Sequence, residues 1–372
     1  MKTTQSKPTP SIHTPSKTKP LPKSNIYPHG LIVGQGKFQY RVNCEWGMQD
    51  SEKYPVENCH DLAMDSQGRI FLVTDHPKNN VLIYSRTGEL LDAWGSMFPG
   101  AHSIRIVNEN GEEVIYLVDS GWITNRKWDG VSTDAWDSPT NKVIAQSGFI
   151  AKLTLDGRLI FTIGHPQTIG VYTPDQPFRP TDIAVAPNGD LYVTDGYGSD
   201  YVLHYSSNGQ FIRRWGGANN ANAECNLVNI HGIEVDFRNP NDPHLIVSSR
   251  VECKLKQFNL DGTYRGTIDT AGAHIGGPVF SGDHFFAPVC WSNINGKTVD
   301  NSGFISVFDK NNQVVANIGG TAPNYQGGQL QPMCSSWDVF NHCHGLCIDE
   351  NGVVYVGQWR ANQTYPIRLE PV

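Results

Sequence analysis

The chain has 372 residues, a formal net charge of −7 and only 17% charged residues, together with 37 glycines and 23 prolines. This composition argues against a coiled coil or a largely disordered chain and favours β structure rich in turns. The acidic balance without a dense Lys/Arg cluster argues against nucleic acid as a partner, and the longest apolar runs are too short to span a membrane.

Residues 1–26 are basic and rich in Pro, Ser and Thr, with no apolar stretch that would form a secretory signal. We expect a disordered arm there, followed by one folded domain over residues 27–372. A secreted or periplasmic location is expected if a signal peptide was removed, and a cytoplasmic one otherwise. The eight cysteines permit disulfides without requiring them, and Cys334 with Cys343 is one expected pair in an exported protein.

An internal repeat of four short strands organises the rest of the chain, with turns of Gly, Asn and Asp after the strands. Such units form the blades of a propeller. One degenerate copy carries an insert rich in Trp, Asp and Asn at residues 122–147. The clear and degenerate copies that precede the last one span residues 59–95, 102–164, 180–216, 230–268 and 273–320.

The last copy, from residue 343 to the C-terminus, contains only three strands. The segment KFQYRVNCEWG (37–47) matches the pattern of an outer strand and has no blade of its own, so it can complete the last blade beside residues 363–370. The sequence therefore predicts an all-β, six-bladed β-propeller closed by an N-terminal outer strand. A closed ring leaves a central tunnel, and we expect the functional site at its mouth.

Histidine occupies one repeat position in four blades, as His60, His102, His231 and His344. With blades numbered from residue 58, the last three belong to blades two, four and six, so their imidazoles would face one point from directions about 120° apart. Three histidines with open coordination positions suit a catalytic Zn²⁺, with Ca²⁺ or another divalent ion as the alternative. His60 is a fourth ligand, a catalytic group or a filler of space.

Two other interpretations of these positions stay open. Each histidine shares the alternation phase of the buried aliphatic residues that follow it, so each could be a hydrogen-bonded interior residue. The cysteines beside His60 and His344 could supply thiolates to zinc, although adjacent residues on a strand point to opposite faces. The third blade carries Thr181 at this position, and the fifth has no clear equivalent.

Aspartate also recurs, at the end of a strand in three blades, as Asp75, Asp119 and Asp195. A residue repeated in several blades is better suited to the scaffold than to a single active site. We therefore expect these carboxylates to accept hydrogen bonds from backbone amides at the tunnel mouth.

The stretch FRPTDIAVAPNGDLYVTDGYGSDYVLHYSSNGQFIRRWG (178–216) resembles a blade of peptidyl-α-hydroxyglycine α-amidating lyase and, more loosely, the NHL-type propellers. The resemblance implies a six-bladed propeller that holds one zinc ion by three histidines from alternate blades. By blade order these are His102, His231 and His344. The resemblance also implies Tyr197 of Asp-Gly-Tyr as the base and Arg250 of Ser-Ser-Arg near the substrate.

The chain departs from this family in three places. His76 stands where the family has an arginine in the first blade, and Gly345 stands where it has an aspartate after the last zinc ligand. The paired cysteines near the tyrosine are absent. These departures put the native substrate and a structural calcium in question.

The catalytic candidates are Tyr197, Arg250, His60 and His76. Tyr197, with an ordinary pKa of about 10, needs the metal or Arg250 to stabilise its phenolate before it can accept a proton. It could otherwise be an aromatic residue of the rim. Arg250 could bind a carboxylate bidentately or merely support a loop.

Three functions are compatible with these residues. The first is a metal-dependent lyase that cleaves an N–C bond, as the resemblance implies. The second is a metal-dependent lyase or hydrolase acting on a uronate sugar or a lactone, and the third is an NHL-like binding scaffold without activity. We expect a monomer with a small-molecule, peptide or sugar substrate and no membrane partner. Aromatic side chains that could stack on sugar rings at the rim are Trp122, Trp128, Trp136, Trp291, Trp337 and Trp359.

Overall fold

The computed structural model describes residues 28–125, 127, 143–336 and 338–372. Within these ranges the regular elements are β-strands and two 3-10 turns, Pro166–Ile169 and Ala223–Cys225. The main strands form six antiparallel sheets around a central tunnel, which confirms the predicted all-β, six-bladed propeller. The arm expected over residues 1–26 lies outside the described residues. None of the described helical segments is long and apolar enough to cross a membrane.

The first two strands form a hairpin, β1 (Ile32–Gln35) and β2 (Phe38–Asn43). Blades one to four follow in chain order, and each starts with its innermost strand. Blade one contains β3 (Cys59–Met64), β4 (Ile70–Thr74), β5 (Val81–Tyr84) and β6 (Leu90–Trp94). Blade two contains β7 (Ala101–Glu109), β8 (Glu112–Asp119), β11 (Phe149–Thr154) and β12 (Leu159–Ile163), with the inserted hairpin β9 (Trp122–Thr124) and β10 (Val143–Ala145). Blade three contains β13 (Asp182–Val185), β14 (Leu191–Thr194), β15 (Tyr201–Tyr205) and β16 (Phe211–Gly216).

The remaining blades are less regular. Blade four contains β17 (Ile230–Asp236), β18 (His244–Ser249), β19 (Lys254–Asn259) and β20 (Tyr264–Asp269). In blade five the inner strand is split into two pieces that both pair with β23. Its strands are β21 (His274–Ile275), β22 (Val279–Ser281), β23 (His284–Ile294), β24 (Lys297–Val299), β25 (Phe304–Phe308) and β26 (Val314–Ile318). A small hairpin of β27 (Tyr325–Gln326) and β28 (Gln329–Leu330) precedes blade six, which contains β29 (Cys343–Ile348), β30 (Val354–Gln358) and β31 (Ile367–Pro371).

The N-terminal hairpin closes the ring. Strand β2 pairs antiparallel with β31, with Tyr40 opposite Pro371 and Asn43 opposite Arg368. The predicted outer strand within residues 37–47 is therefore confirmed. Strand β1 adds a fifth strand to blade six, which the sequence analysis did not predict.

The core lies between neighbouring blades, and this explains the hydrophobic pattern of the strands. The middle strands β4 and β5 are buried at every residue, because both of their faces pack against another blade. Outer strands alternate instead, as in β20, whose residues are half-buried and exposed in turn. Continuous apolar runs thus mark middle strands of the blades, and alternating patterns mark their rims.

The aspartates at strand ends tie blades one, two and three to the loops that precede them. Asp75 Oδ1 accepts a hydrogen bond from the backbone N–H of Asn58 at 2.9 Å, and Asp119 Oδ2 accepts one from Gly100 at 3.0 Å. Asp195 Oδ1 accepts one from the backbone N–H that opens blade three, at 2.6 Å. The structural role predicted for these carboxylates is confirmed.

Candidate metal centre and tunnel mouth

A β-bulge aims each of the four histidines into the tunnel. In blade one, Cys59 pairs with Thr74 and Asp61 pairs with Val73, so His60 between them has no partner in the ladder. The same slip occurs at the other three positions, between the neighbours of His102, His231 and His344. A bulge bends the strand and redirects one side chain, and here that side chain is the imidazole in every case.

The imidazoles from alternate blades form a nearly equilateral triangle. Ring centroids are 4.8 Å apart for His102 and His231, 4.8 Å for His102 and His344, and 4.6 Å for His231 and His344. His60 joins this group at 5.0 Å from His102 and 4.6 Å from His344. The structure thus brings together all four histidines that the repeat pattern singled out.

Backbone carbonyls fix which nitrogen of two rings carries the proton. His102 Nδ1 donates to the carbonyl oxygen of Thr181 at 2.6 Å, and His344 Nδ1 donates to that of His60 at 2.8 Å. Their Nε2 atoms are therefore acceptors. His60 Nε2 lies 3.1 Å from Asp75 Oδ2, so in the neutral ring Nδ1 is also an acceptor.

The donor chemistry of this cluster fits a metal ion. His60 Nδ1 and His344 Nε2 lie 3.4 Å apart, and in the neutral rings neither nitrogen carries a proton to share. Nitrogen ligands of a tetrahedral ion with bonds of about 2.0–2.1 Å have a similar separation. Burial, together with the neighbouring rings and Arg250, lowers the pKa of His102, His231 and His344 well below the usual value, so these rings are neutral, as ligands must be.

A second combination of these histidines also has metal-ligand spacing. Nitrogen atoms of His60, His102 and His344 all lie within 4.8 Å of one another, whereas the sequence assigned His231 as the third ligand. The Tyr197 hydroxyl is 2.7 Å from His231 Nε2 and 3.1 Å from His102 Nε2. The ring centroids of His60 and His231 both lie 4.6 Å from that of His344, so either ring could complete a set of three ligands with His102 and His344.

The cysteines belong to the core rather than to this centre. The described group with metal-ligand spacing contains three histidines and no cysteine, and Cys59 and Cys347 pack in the apolar cluster between blades six and one. All eight cysteines lie in the described residues and have free thiols. The disulfide expected between Cys334 and Cys343 in an exported protein is not formed in the structure, where Cys343 is fully buried on β29 and Cys334 lies on a half-buried loop.

Tyr197 and Arg250 lie together at the mouth. The Arg250 guanidinium carbon is 5.9 Å from the ring centroid of Tyr197 and 5.2 Å from that of Trp291. Burial raises the pKa of Tyr197, and the positive charge of Arg250 offsets part of the rise. The tyrosine alone is therefore a hydrogen-bond donor at neutral pH.

His76 occupies a different environment. It lies half-buried in the loop after β4, where its Nδ1 accepts a hydrogen bond from the backbone N–H of Lys78 at 3.2 Å. Among the rim tryptophans, Trp122, Trp291 and Trp359 are half-buried. Trp128, Trp136 and Trp337 lie outside the described residues.

A charged layer that the sequence analysis missed lies below the imidazoles. Arg105 contacts Asp61 at 2.7 Å, Asp182 at 2.8 Å and Glu234 at 3.5 Å, and burial raises the pKa of Glu234 to about 7. A cavity of about 20 Å³, large enough for one water or ion, separates this layer from the histidines. The sequence contained one indication of this layer, since Asp61 directly follows His60 in blade one.

Gly345, which replaces the aspartate of the resembled family, has a steric explanation. A Cβ atom at this position would overlap with Asp61 Oδ1 and the carbonyl oxygen of His60. The neighbouring blade thus supplies a carboxylate to the space beside Gly345, and Arg105 binds that carboxylate.

No protein-family model matches the chain. Two curated relatives, both from Xenopus laevis, show weak homology to it. Peptidyl-glycine alpha-amidating monooxygenase A is 26% identical over 191 residues, covering 50% of this chain and 19% of the relative. Peptidyl-glycine alpha-amidating monooxygenase B is 24% identical over 157 residues, covering 39% of this chain and 18% of the relative. This chain spans less than a fifth of the length of these proteins.

Solved structures share the architecture. Virginiamycin B lyase from Staphylococcus aureus superposes with a TM-score of 0.51 at 11% identity, covering 90% of this chain and 100% of the other. A streptogramin B lyase gives a TM-score of 0.50 at 12% identity, covering 89% and 97%. At these identities the likeness establishes the propeller fold and leaves the activity to the site itself.

Proposed function

We propose that the chain is a metal-dependent lyase that cleaves the N–C bond of a carbinolamide of the peptidyl-α-hydroxyglycine type at the tunnel mouth. The observation that carries this proposal is the triangle of neutral imidazoles from alternate blades, His102, His231 and His344, with the Tyr197 hydroxyl against two of them. The distant similarity to peptidyl-glycine alpha-amidating monooxygenases supports the substrate class.

The three imidazoles would hold the ion, with zinc as the first choice, and His60 is close enough to join them or to replace His231. When bound, the ion supplies a Lewis acid that polarises a substrate oxygen. Backbone carbonyl oxygens accept hydrogen bonds from Nδ1 of His102 and His344, and this leaves Nε2 of each ring available to the ion. Metal-ligating histidines are usually oriented by such a hydrogen bond from their other ring nitrogen.

Cleavage of a carbinolamide requires two proton movements. The hydroxyl proton leaves its oxygen as the C=O bond forms and the N–C bond breaks, and the amide nitrogen gains a proton. The products are a primary amide and an aldehyde acid. Tyr197 is the group placed to accept the hydroxyl proton, and because burial raises its pKa, its phenolate depends on positive charge nearby.

Arg250 would hold the carboxylate of the substrate. Its Nε and Nη2 donate to Asn229 Oδ1 at 2.9 and 2.7 Å, so the guanidinium is fixed by a neutral partner and keeps its charge uncompensated. A fixed guanidinium beside the base can orient a carboxylate through charge-assisted hydrogen bonds.

Metal analysis of the purified chain tests this proposal. We expect one equivalent of transition metal in the wild type and its loss in His102→Ala, His231→Ala and His344→Ala. The matched controls are His204→Ala and His244→Ala, because these histidines pair with Asp190 and Gln257 away from the tunnel. A full equivalent in the triple variant would contradict the site, and metal loss in His60→Ala but not in His231→Ala would reassign the third ligand.

A second candidate, cleavage of a uronate sugar, is supported by the aromatic rings on one side of the mouth. The ring centroids of Trp291 and Trp359 are 5.6 Å apart, and both contact His342. Broad aromatic surfaces of this kind can stack on sugar rings. The assay therefore offers N-acyl-α-hydroxyglycines first and uronate oligosaccharides second. If the purified chain holds no metal and turns over neither substrate, an NHL-like binding scaffold is favoured.

A further inference from the structure

Arg179, which precedes blade three, forms no ion pair with an acidic side chain among the residues that the structure describes. Its Cζ lies 4.9 Å from the ring centroid of Trp122, and its Nε is buried with no hydrogen-bond partner in the described part of the chain. The same residue borders the candidate site, because its carbonyl oxygen accepts a hydrogen bond from the backbone N–H of Tyr197 at 3.2 Å. The Trp122 ring is 6.3 Å from that of Tyr197.

The acidic side chain that attracts the Arg179 guanidinium electrostatically is Asp195, and its carboxylate is hydrogen-bonded to other groups. Its oxygens accept hydrogen bonds from the backbone N–H of Arg179, from the Tyr172 hydroxyl at 2.8 Å and from the backbone N–H of Ser199 at 2.9 Å. Burial raises the pKa of Asp195 to about 7, so it is only partly ionised at neutral pH. Burial also lowers the pKa of Arg179, and the negative charge of Asp195 offsets part of that decrease.

Arg250 lies on the other side of Tyr197 along the ring of blades, since it follows β18 of blade four. The two arginines are thus each stacked on a tryptophan, Arg179 on Trp122 and Arg250 on Trp291. Neither forms an ion pair with an acidic side chain among the described residues, and Arg250 donates to the neutral amide oxygen of Asn229.

We propose that Arg179 and Arg250 together bind a substrate that carries two carboxylate groups, one on each side of Tyr197. An unpaired charge removed from water is unfavourable, and a bound carboxylate restores the lost interactions with bidentate hydrogen bonds. The inference rests on the proposed function, because it names the substrate class of the same site. The hydroxyglycine carboxylate would bind Arg250, and a second acidic group on the acyl part would bind Arg179.

Calorimetric titration of the full chain with simple acids tests this inference without turnover. The probes are dicarboxylates of three to six carbons and the monocarboxylates of equal length, titrated at low ionic strength into protein freed of metal on a chelating resin. We expect one dicarboxylate to bind the wild type at least tenfold more tightly than its monocarboxylate. Arg179→Gln should abolish this preference and leave monocarboxylate binding within twofold, whereas Arg250→Gln should weaken both.

Arg214→Gln is the matched control, because Arg214 also stacks on tyrosines of this region, 4.4 Å from the Tyr201 centroid, yet lies on the exposed outer strand. It should leave the preference unchanged. Arg179→Lys, which keeps the charge, should retain part of the preference if Arg179→Gln does not fold. Absence of any preferred dicarboxylate, or an undiminished preference in Arg179→Gln, would overturn the inference. Because the protein is metal-free, these results are independent of the metal analysis.

Discussion

Tyr197 joins the histidine cluster and the arginine at the mouth through one hydroxyl group. That hydroxyl lies within hydrogen-bond distance of two imidazole nitrogens, and it has a single proton to donate. A group in this position can exchange protons with a substrate bound over the histidines. Its contribution should therefore appear in the chemical step rather than in binding.

For Tyr197→Phe we expect kcat to fall by about 10²–10⁴-fold with little change in KM, because the variant keeps the ring and loses only the proton-transfer group. Steady-state kinetics on the substrate accepted by the wild type measures this effect. Tyr201→Phe is the control, since Tyr201 lies on β15 outside the histidine cluster. Unchanged kcat in Tyr197→Phe would remove the tyrosine from the mechanism.

Asp195 should make folding stability depend on pH. A carboxyl whose pKa rises to about 7 on folding binds its proton more tightly in the folded than in the unfolded chain. Its contribution to the free energy of unfolding therefore decreases as the pH rises from about 4 to 7. In Asp195→Asn we expect a smaller difference between the urea midpoints at pH 5 and pH 8 than in the wild type.

Asp261→Asn is the control for this experiment. Hydrogen bonds from Thr263 lower the pKa of this exposed carboxyl, so its titration lies below the window that Asp195 governs. The pH dependence between 5 and 8 should match the wild type in this variant. An Asp195→Asn protein with the full wild-type difference would contradict the role of Asp195.

The location of an individual residue was predictable from the sequence where the residue recurs at the same position of several repeats. His102, His231 and His344 could be placed in one layer because four blades carry histidine at the same position. Whether His60 or His231 completes the set of three could not be predicted, because it depends on distances between side chains that come from different blades. Arg105 was missed for a similar reason, since its carboxylate partners come from three other blades.

At the scale of elements, the inner strands approach one another more closely than side chains allow. A Cβ at Gly232, the residue after His231, would overlap with the Cα of Gly277 in blade five. Blade five has its inner strand split around this point, into β21 and β22. The break gives the backbone of blade five room beside blade four.

We expect Gly232→Ala to lower the free energy of unfolding by about 1–3 kcal/mol, because a methyl group there forces two backbones apart. Urea unfolding followed by tryptophan fluorescence measures the change. Gly266→Ala on β20 is the matched control, since its new methyl would meet only Gln257 Oε1 at 3.6 Å. Equal stability of the two variants would show that the inner strands tolerate separation.

Strands that recur in every repeat were predictable from the sequence, whereas short strands that are added to a single blade were not. Strand β1, the pair β27–β28 and strand β24 arise from local turns that repeat in no other blade. The bulges were also missed, because a slip of one residue in a ladder leaves the alternation of the following aliphatic residues intact. Sequence periodicity reports the pairing of strands more directly than their irregularities.

At the scale of the whole molecule, stability depends on the seam where β2 meets β31. Val42 is 1% exposed and packs in the core cluster that contains Leu369, Val354 and Ile318. Its neighbour Arg41 is exposed on the opposite face of the same strand. The same substitution at these two positions therefore distinguishes the effect of burial at the seam on stability from the effect of strand propensity.

We expect Val42→Asn to lower the free energy of unfolding by about 2–4 kcal/mol, since it buries an amide without a partner and removes apolar contacts. Arg41→Asn, the same substitution on the solvent side, should change it by less than about 0.5 kcal/mol. Thermal unfolding of both variants provides the comparison. A loss of similar size at both positions would mean that the seam contributes through its backbone alone.

Closure by the two ends of the ring also sets the order of events during synthesis. Asn43 and Glu370, whose side chains are hydrogen-bonded across the seam, are 327 residues apart in the chain. At about 5–20 residues per second, the ribosome needs roughly 15–65 s to make the final strand after it has made β2. Throughout that interval the edge of β2 that β31 will cover is unpaired, and it can pair with a second chain. Protection by chaperones is therefore most valuable to this protein while it is still being translated.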